Sequence, residues 1–96
     1  MRMRKKKWAD PYLEAHQDYI SDNPTENRGK WKQLLNCETL HLEIGMGKGS
    51  YLIQMASMYP SDGWIGMEKD RSAAAVAARA KLENDGCITN NRMIAG

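Results

Sequence analysis

Long apolar runs, cysteine clusters and proline-rich tracts are all missing from this sequence of 96 residues. The stretch from Gly49 to Gly66 is the best candidate for an apolar run, but Ser, Gln, Pro and Asp interrupt it, and a membrane helix needs about 18 apolar residues in succession. The basic N-terminus is not followed by the apolar segment of about 7–15 residues that a secretory signal requires. The sequence therefore predicts neither a membrane span nor a signal peptide, and we expect a cytoplasmic protein.

Only two cysteines are present, Cys37 and Cys87, and they stand fifty positions apart. Neither belongs to a CxxC pair or has a histidine at the spacing of a zinc site, so we expect two free thiols in a reducing compartment and no metal. With three prolines, eight glycines, 42% hydrophobic and 27% charged residues, the composition is typical of a globular chain. The length allows one domain at most.

Basic residues are scarce outside the N-terminus. Five of the 14 Lys and Arg residues lie in the first seven positions, which leaves nine against twelve acidic residues, a balance of −3, for positions 8–96. The five are Arg2, Arg4, Lys5, Lys6 and Lys7. Such a run is either a solvated, partly disordered terminus or an electrostatic arm for the phosphate backbone of a nucleic acid, with Trp8 as a stacking surface behind it. The run alone does not decide between these two interpretations.

Residues 1–39 are polar and show no sustained apolar period. We therefore expect them to form a basic arm and short helices that precede the domain and do not enter its core. The short helices are predicted near Pro11–Tyr19 and Gly29–Leu35.

From Leu40 onward, strand and helix patterns alternate. A short apolar run is followed by a glycine-rich turn and an amphipathic helix, and the order then repeats with an alanine-rich helix. The predicted elements are strand Leu40–Ile44, helix Ser50–Tyr59, strand Trp64–Glu68, helix Ser72–Asn84 and a third strand from Asn91. This alternation is typical of an α/β fold with a parallel sheet and right-handed crossovers. We expect residues 40–96 to form the first half of a Rossmann-like fold with about three parallel strands, truncated because a doubly wound sheet normally has about five to seven.

Glycine dominates the turn after the first predicted strand, where Gly45, Gly47 and Gly49 occupy alternate positions. Glycines let the backbone turn sharply and approach a ligand closely, and the helix that follows presents free N–H groups. The dinucleotide pattern GxGxxG does not match, because the loop reads GxGxG with Ser50 in the sixth place. The phosphate-cradling pattern GxxxxGK[ST] also fails, because Lys48 is followed by glycine. Both phosphate-binding interpretations are weakened.

Two acidic residues accompany this loop. Glu43, just before the first glycine, suits a ligand with a positive amino group and hydroxyls better than a pyrophosphate, which it would repel. Glu68 ends the second predicted strand, 23 residues after Gly45, where α/β nucleotide folds place a carboxylate for ribose hydroxyls. The combination predicts a site for S-adenosylmethionine. Two alternatives stay open: a turn without a ligand, in which Glu68 is a surface charge, and a nicotinamide or flavin site.

The remaining polar candidates carry weaker predictions. Lys48 is either a solvated loop charge or a cation that steers an anionic substrate toward the cofactor. His16 and His41 have no cysteine or acid at catalytic spacing, so we expect both to be structural.

Taken together, these segments resemble one family, the bacterial tRNA (guanine-N7-)-methyltransferases, which are class I S-adenosylmethionine-dependent enzymes. The glycine loop is a feature of class I methyltransferases in general, whereas the basic opening with Trp8 and the block Gly29-Lys30-Trp31 are particular to this family. The matching segments are Met1–Ala9, Asn23-Pro24, Gly29–Trp31, Leu42–Gly49, Ile65–Glu68 and Asn91–Gly96.

The resemblance implies methylation of guanine N7 in the variable loop of tRNA. It implies that Glu43 and Glu68 contact S-adenosylmethionine and that Gly45, Gly47 and Gly49 shape its pocket. It also favours tRNA contacts for the five N-terminal cations and makes Lys48 a further RNA-binding candidate. The resemblance gives no oligomeric state.

The family's catalytic-site Asp and its Asp-Pro-Trp-Pro-Lys stretch are absent from these residues. The resemblance therefore implies catalytic residues beyond Gly96, and we expect the 96 residues as they stand to be marginally stable and inactive. Two other functions stay open. One is a class I methyltransferase for another RNA base or a small molecule, and the other is a non-catalytic piece that binds cofactor or RNA.

Overall fold

A parallel sheet lies at the centre of the structure, a computed structural model that describes residues 6–23, 25, 27–84 and 90–96. Its four strands are β1 (Ile20–Ser21), β2 (Leu40–Ile44), β3 (Gly63–Glu68) and β4 (Asn91–Ala95), and they lie in the order β1-β4-β3-β2. The helices are α1 (Ala9–Ala15), α2 (Trp31–Leu35), α3 (Ser50–Met58) and α4 (Arg71–Asn84). The predicted α/β fold with parallel strands, consistent with part of a Rossmann-like methyltransferase fold, is confirmed.

Two layers of helices cover the sheet unequally. Helices α1, α3 and α4 pack on one face, where Leu52, Trp64 and Met93 belong to the larger core cluster. On the other face, Leu35 of α2 packs with Ile65 and Ile94 in a smaller cluster. The crossovers that lead from β2 to β3 and from β3 to β4 place α3 and α4 side by side on the first face.

Helix α4 shows how local sequence determines an element. Alanine, the strongest helix former, occupies its buried side, with Ala74, Ala75 and Ala78 fully enclosed. Asp70 precedes the helix, and its Oδ1 accepts a hydrogen bond from the Ala73 amide at 3.1 Å. Such a carboxylate at the N-cap satisfies one of the free amides of the first turn, so the helix begins at Arg71.

The N-terminal region departs from the prediction, because residues before Leu40 do enter the core. Leu13, Tyr19 and Ile20 are 0%, 1% and 0% exposed, and the Tyr19 hydroxyl donates a buried hydrogen bond to Asn91 Oδ1. The expectation that residues 1–39 stay outside the core is wrong here, and so is the count of about three strands. A strand of two residues has no periodicity to detect, and its partner β4 lies about seventy positions away.

The outer strand β2 leaves apolar surface exposed. Leu42 and Ile44 are 57% and 76% exposed, on the sheet face that α2 covers only in part. No strand pairs with the free edge of β2 among the described residues. This edge and face agree with the expectation of an open parallel sheet.

Some expectations fall on residues that the structure does not describe. Arg2, Arg4, Lys5 and Cys87 lie outside the described ranges. Cys37 is a half-buried free thiol. Among the helices that the structure describes, none is long and apolar enough to cross a membrane.

Candidate functional site

The glycine loop lies where the carboxyl ends of β2 and β3 meet. It turns back from β2 over the end of β3, and the amides of Gly45 and Met46 both donate to the Met67 carbonyl, at 2.8 and 3.1 Å. Gly45 and Gly47 have φ of 76° and 59°, in the left-handed region that glycine tolerates. A Cβ on either would meet no heavy atom within 4 Å, so both glycines border open space. A ligand can approach the backbone at these two positions.

Met46 anchors the loop from below. Its side chain is 6% exposed and belongs to the larger core cluster, although its two neighbours are glycines that border open space. It lies directly over Gly66 of β3, where a Cβ would overlap the Met46 sulfur and come within 2.8 Å of Leu52. Because Gly66 has no side chain, the loop can pack closely against the sheet.

Glu68, the predicted cofactor ligand at the end of β3, contacts the loop itself. Its Oε1 accepts a hydrogen bond from the Gly47 amide at 3.0 Å, and its Oε2 accepts one from the Asp70 amide at 2.9 Å. Each carboxylate oxygen can accept a further hydrogen bond. The carboxylate therefore holds the loop and the start of α4 together and keeps acceptor capacity for a ligand.

Glu43 lies on β2 beside Gly66 in the parallel register. Its Oε1 is buried and has no hydrogen-bond partner among the described residues. Burial raises the pKa of this carboxyl above its ordinary value. A buried acceptor without a donor is costly, so the position favours a ligand that brings a donor or a positive charge.

Gly49, the third glycine of the pattern, faces inward. Its φ is 78°, and a Cβ there would come within 3.1 Å of the Met93 side chain and 3.2 Å of Ala77. It is the N-cap residue of α3, and it lets that helix start in close contact with α4 and β4. The structure thus brings Gly45 and Gly47 to the open side of the loop and places Gly49 in the packing beneath it.

Four of the loop amides are already engaged within the protein. Gly45 and Met46 donate to β3, Gly47 donates to Glu68, and Gly49 donates to the Met46 carbonyl at 3.0 Å. A phosphate cradle needs several loop amides directed at the anion. The geometry therefore agrees with the weakened phosphate-binding interpretations.

Three of the predicted RNA-binding cations, Lys6, Lys7 and Lys48, belong to the described residues. Lys48 is exposed within the loop, and Lys7 is exposed before α1. The Lys6 amide donates to Ser72 Oγ at 3.0 Å, which ties Lys6 to α4. The expected stacking surface of Trp8 is occupied, because Arg79 Cζ lies 4.7 Å from the centre of its ring.

His41 has an acidic partner that sequence spacing did not reveal. Its Nε2 lies 2.9 Å from Asp62 Oδ2, and its ring stacks on Trp64 at 3.9 Å between centroids. Sequence spacing did not reveal this acid, because the parallel pairing of β2 and β3 brings residues 21 positions apart together. The pair lies near the start of β2, at the opposite end of the strand from the glycine loop, and is part of the packing there. His16 Nδ1 lies 2.9 Å from the Tyr12 carbonyl oxygen, a local helix contact.

Asp70 is the residue of this site that the sequence reasoning missed. It links the Glu68 carboxylate to α4 by donating its amide to Glu68 and accepting the Ala73 amide through its side chain. An Asp immediately before an alanine-rich run is an N-cap signal that could have identified it. Among the described residues, no three His, Cys, Asp or Glu side chains are grouped closely enough to hold a metal ion.

Comparison with known proteins adds relatives for the whole chain. Residues 37–96 match the protein family described as "Putative methyltransferase". The tRNA (guanine-N(7)-)-methyltransferase of Limosilactobacillus reuteri strain DSM 20016 is 43% identical over 97 residues, and that of Leuconostoc mesenteroides is 39% identical over 99. Both alignments cover 100% of this chain and 45% of the relative. The protein of the same name from Oceanobacillus iheyensis is 40% identical over 86 residues, which are 88% of this chain and 40% of the relative. The chain thus spans less than half the length of these relatives.

Proposed function

The chain belongs to the methyltransferase family that its residues 37–96 match, and on that premise we propose that it serves the transfer of a methyl group to guanine N7 of tRNA. Relatives with 43% and 39% identity, aligned along the entire chain, carry the name of this activity. The described site supports binding of the methyl donor, which is the part of the function that these residues would supply.

The observation that carries the proposal is the pair of carboxylates at the glycine loop. Glu43 has a buried oxygen without a donor, and Glu68 keeps acceptor capacity at the end of β3. S-adenosylmethionine fits both, because its amino group can compensate Glu43 and its ribose hydroxyls can donate to Glu68. When bound, this group supplies an electrophilic methyl on a sulfonium.

The same residues disfavour a dinucleotide. Four loop amides that could hold a pyrophosphate donate within the protein, and the Glu43 carboxylate would repel an anion at close range. The donor set of the site is therefore suited to a ligand with a cation and hydroxyls.

In this proposal the residues of this chain contribute to catalysis by positioning the cofactor. Guanine N7 is already a nucleophilic lone pair, so the protein has to align the acceptor with the methyl group and needs little acid–base chemistry. Gly45 and Gly47 allow close approach of the cofactor to the backbone, and Met46 over Gly66 keeps the loop in place. We assign the guanine pocket to residues outside these 96.

The partner proposed for the basic N-terminus is the phosphate backbone of tRNA. Arg2, Arg4, Lys5, Lys6 and Lys7 would act as an electrostatic arm, since the phosphates dominate the affinity of such complexes. Because tRNA is a cytoplasmic substrate in bacteria, the proposal also places the protein in the cytoplasm.

Cofactor binding is tested by calorimetric titration with S-adenosylhomocysteine. Replacement of Glu68 by Ala in the full-length protein should reduce affinity by about 2–3 kcal/mol, the value of two charge-assisted hydrogen bonds. Glu38→Ala is the matched control, because Glu38 is exposed and precedes β2 at the end away from the loop. Equal affinity of the Glu68→Ala and unaltered proteins would overturn the site assignment.

The acceptor is tested separately with labelled S-adenosylmethionine and unmodified tRNA. After nuclease digestion of the tRNA, the label should appear in N7-methylguanosine. Label in another nucleoside would support methyltransferase activity and contradict the proposed specificity for guanine N7.

A further inference from the structure

The side chain of Glu68 is held between two backbone amides that come from different segments of the chain. The Gly47 amide donates to Oε1 at 3.0 Å, and the Asp70 amide donates to Oε2 at 2.9 Å. The backbone of Glu68 is also fixed, because its carbonyl oxygen accepts the Gly96 amide at 3.0 Å. One of the two amides at the carboxylate thus belongs to the glycine loop, and the other belongs to the residue that precedes α4.

The side chain of Asp70 fixes the backbone of the same residue. Its Oδ1 accepts the Ala73 amide at 3.1 Å, and its carbonyl oxygen accepts the Ala74 amide at 2.9 Å. These are the hydrogen bonds of an N-cap residue, and together they attach Asp70 to the first turn of α4. The orientation of the Asp70 amide toward Glu68 therefore depends on the cap that the Asp70 side chain makes.

The first turn of α4 is itself well anchored. Ser72 and Ala74 are 5% and 0% exposed, so this turn is packed against the rest of the protein. Ser72 Oγ accepts the Lys6 amide at 3.0 Å, and Arg71 Nε donates to Asp10 Oδ1 of α1 at 2.7 Å. A helical turn that is buried and bonded to a neighbouring segment gives its N-cap residue a fixed support.

A carboxylate that is held in this way suits a pair of adjacent hydroxyl groups. Each oxygen of Glu68 has one N–H donor and can accept one more hydrogen bond. The ribose of S-adenosylmethionine has two neighbouring hydroxyls, which need two acceptor oxygens in one fixed orientation. A ligand that binds a freely rotating carboxylate has to restrict it, and the lost entropy reduces the affinity. The fixed orientation of Glu68 avoids that cost.

We propose that Asp70 is a positioning residue for the cofactor, because its cap on α4 holds the amide that orients Glu68 toward the ribose. This inference rests on the proposed function, since it takes the two ribose hydroxyls as the ligands of Glu68. In this proposal Asp70 acts through its own backbone amide and makes no contact with the cofactor. The property that matters is the acceptor oxygen of its side chain and not the negative charge.

The test compares two substitutions of Asp70 in the full-length protein. Asp70→Ala removes the cap and keeps the backbone amide, whereas Asp70→Asn keeps an oxygen that caps a helix about as well. Asp62→Ala is the matched control, because Asp62 is also half-buried and its side-chain contact with His41 lies at the opposite end of the strands. Calorimetry measures binding of S-adenosylhomocysteine and of its 3′-deoxy analogue, and the melting temperature of each variant is measured alongside.

Asp70→Ala should bind S-adenosylhomocysteine about five- to tenfold more weakly, which corresponds to the loss of one N-cap. It should also discriminate less between S-adenosylhomocysteine and the 3′-deoxy analogue, because a carboxylate that can rotate no longer engages both hydroxyls at once. A general loss of stability would not change this ratio of affinities. Asp70→Asn should restore both the affinity and the discrimination, and Asp62→Ala should lower only the melting temperature.

Three results would overturn the role of Asp70 and leave the proposed function intact. In the first, Asp70→Ala keeps either the affinity or the discrimination of the unaltered protein. In the second, Asp62→Ala reduces both quantities as much as Asp70→Ala does. In the third, Asp70→Asn is as defective as Asp70→Ala, so that the charge and not the cap is the cause. Failure of the proposed function is distinct, because the unaltered protein itself would then not bind S-adenosylhomocysteine.

Discussion

The Gly47 amide donates a hydrogen bond to Glu68 Oε1 across 3.0 Å and so ties the glycine loop to the end of β3. The second oxygen of the same carboxylate accepts the Asp70 amide at 2.9 Å. Glu68 therefore has a structural task that does not depend on a ligand. Glycines increase the conformational freedom of a loop, and this hydrogen bond restricts that freedom in the ligand-free protein. A loop that is already restricted loses less conformational entropy when it binds a ligand.

Replacement of Glu68 by Gln should destabilise the ligand-free protein. Both partners of the carboxylate are N–H donors, so the amide nitrogen of glutamine would face a donor. We expect a loss of about 1–3 kcal/mol in the free energy of unfolding, measured by urea denaturation without cofactor. Glu38→Gln serves as the control at an exposed site. If Glu68 acts only as a cofactor ligand, the two variants will unfold alike.

The half-buried carboxyl of Glu43 should make stability depend on pH in an unusual direction. Because burial raises its pKa, the folded state binds the proton more tightly than the unfolded state. The contribution of Glu43 to the free energy of unfolding is most favourable below the pKa that this carboxyl has in the unfolded state. It decreases as the pH rises toward the higher pKa of the folded state, and above that pKa it stays unfavourable. Glu43→Gln should therefore stabilise the ligand-free protein at neutral pH and flatten the acidic part of the profile. Urea denaturation from about pH 4 to 8 measures both effects. If the pH dependence of stability is the same in Glu43→Gln and in the unaltered protein, the pKa of Glu43 is not raised in the folded state.

The contact between Gly66 and Met46 predicts a coupling between sheet and loop. Gly66→Ala should cost about 1–3 kcal/mol, because a Cβ there overlaps the Met46 side chain. Met46→Ala removes the nearer of the two obstacles and leaves Leu52, so the double variant should lose less than the sum of the two single changes. A double-mutant cycle from denaturation curves measures the difference. Strict additivity would mean that the loop does not rest on this contact.

The N-terminal cations should contribute to tRNA binding through their charge. Deletion of residues 1–5 removes Arg2, Arg4 and Lys5 and leaves intact the bond from the Lys6 amide to Ser72. We expect weaker tRNA binding and a salt slope reduced by about 0.7–0.9 for each phosphate contact that is lost. Cofactor affinity should stay the same. Should the slope be equal with and without these residues, they are a solvated terminus.

The exposed face of β2 should limit the solubility of the 96-residue chain. Ile44 is 76% exposed beside Leu42, on a strand edge with which no described segment pairs, and such surfaces promote association between copies. Ile44→Lys should shift the chain toward the monomer in light scattering, while Gln54→Lys, on the exposed side of α3, should not. If both variants aggregate equally, the exposed face of β2 is not the cause of the association.

The elements from Leu40 onward could be predicted because each carries its own local signal. The helix predicted over Ser50–Tyr59 is observed over Ser50–Met58, and the second strand gains only Gly63 at its start. Apolar period, glycine and proline mark such elements within about ten residues, without reference to the rest of the chain. The predicted resemblance to tRNA (guanine-N7-)-methyltransferases is confirmed by relatives of that name along the whole chain.

What the sequence by itself determined is therefore the order of strands and helices, the position of the glycine loop and the family. Only the tertiary structure decided that Tyr19 and Ile20 join the core, that His41 meets Asp62, and that Gly49 packs inward while Gly47 binds Glu68. The reason is physical: these contacts join residues far apart in the chain. They depend on strand register and helix packing, which no local pattern of residues specifies.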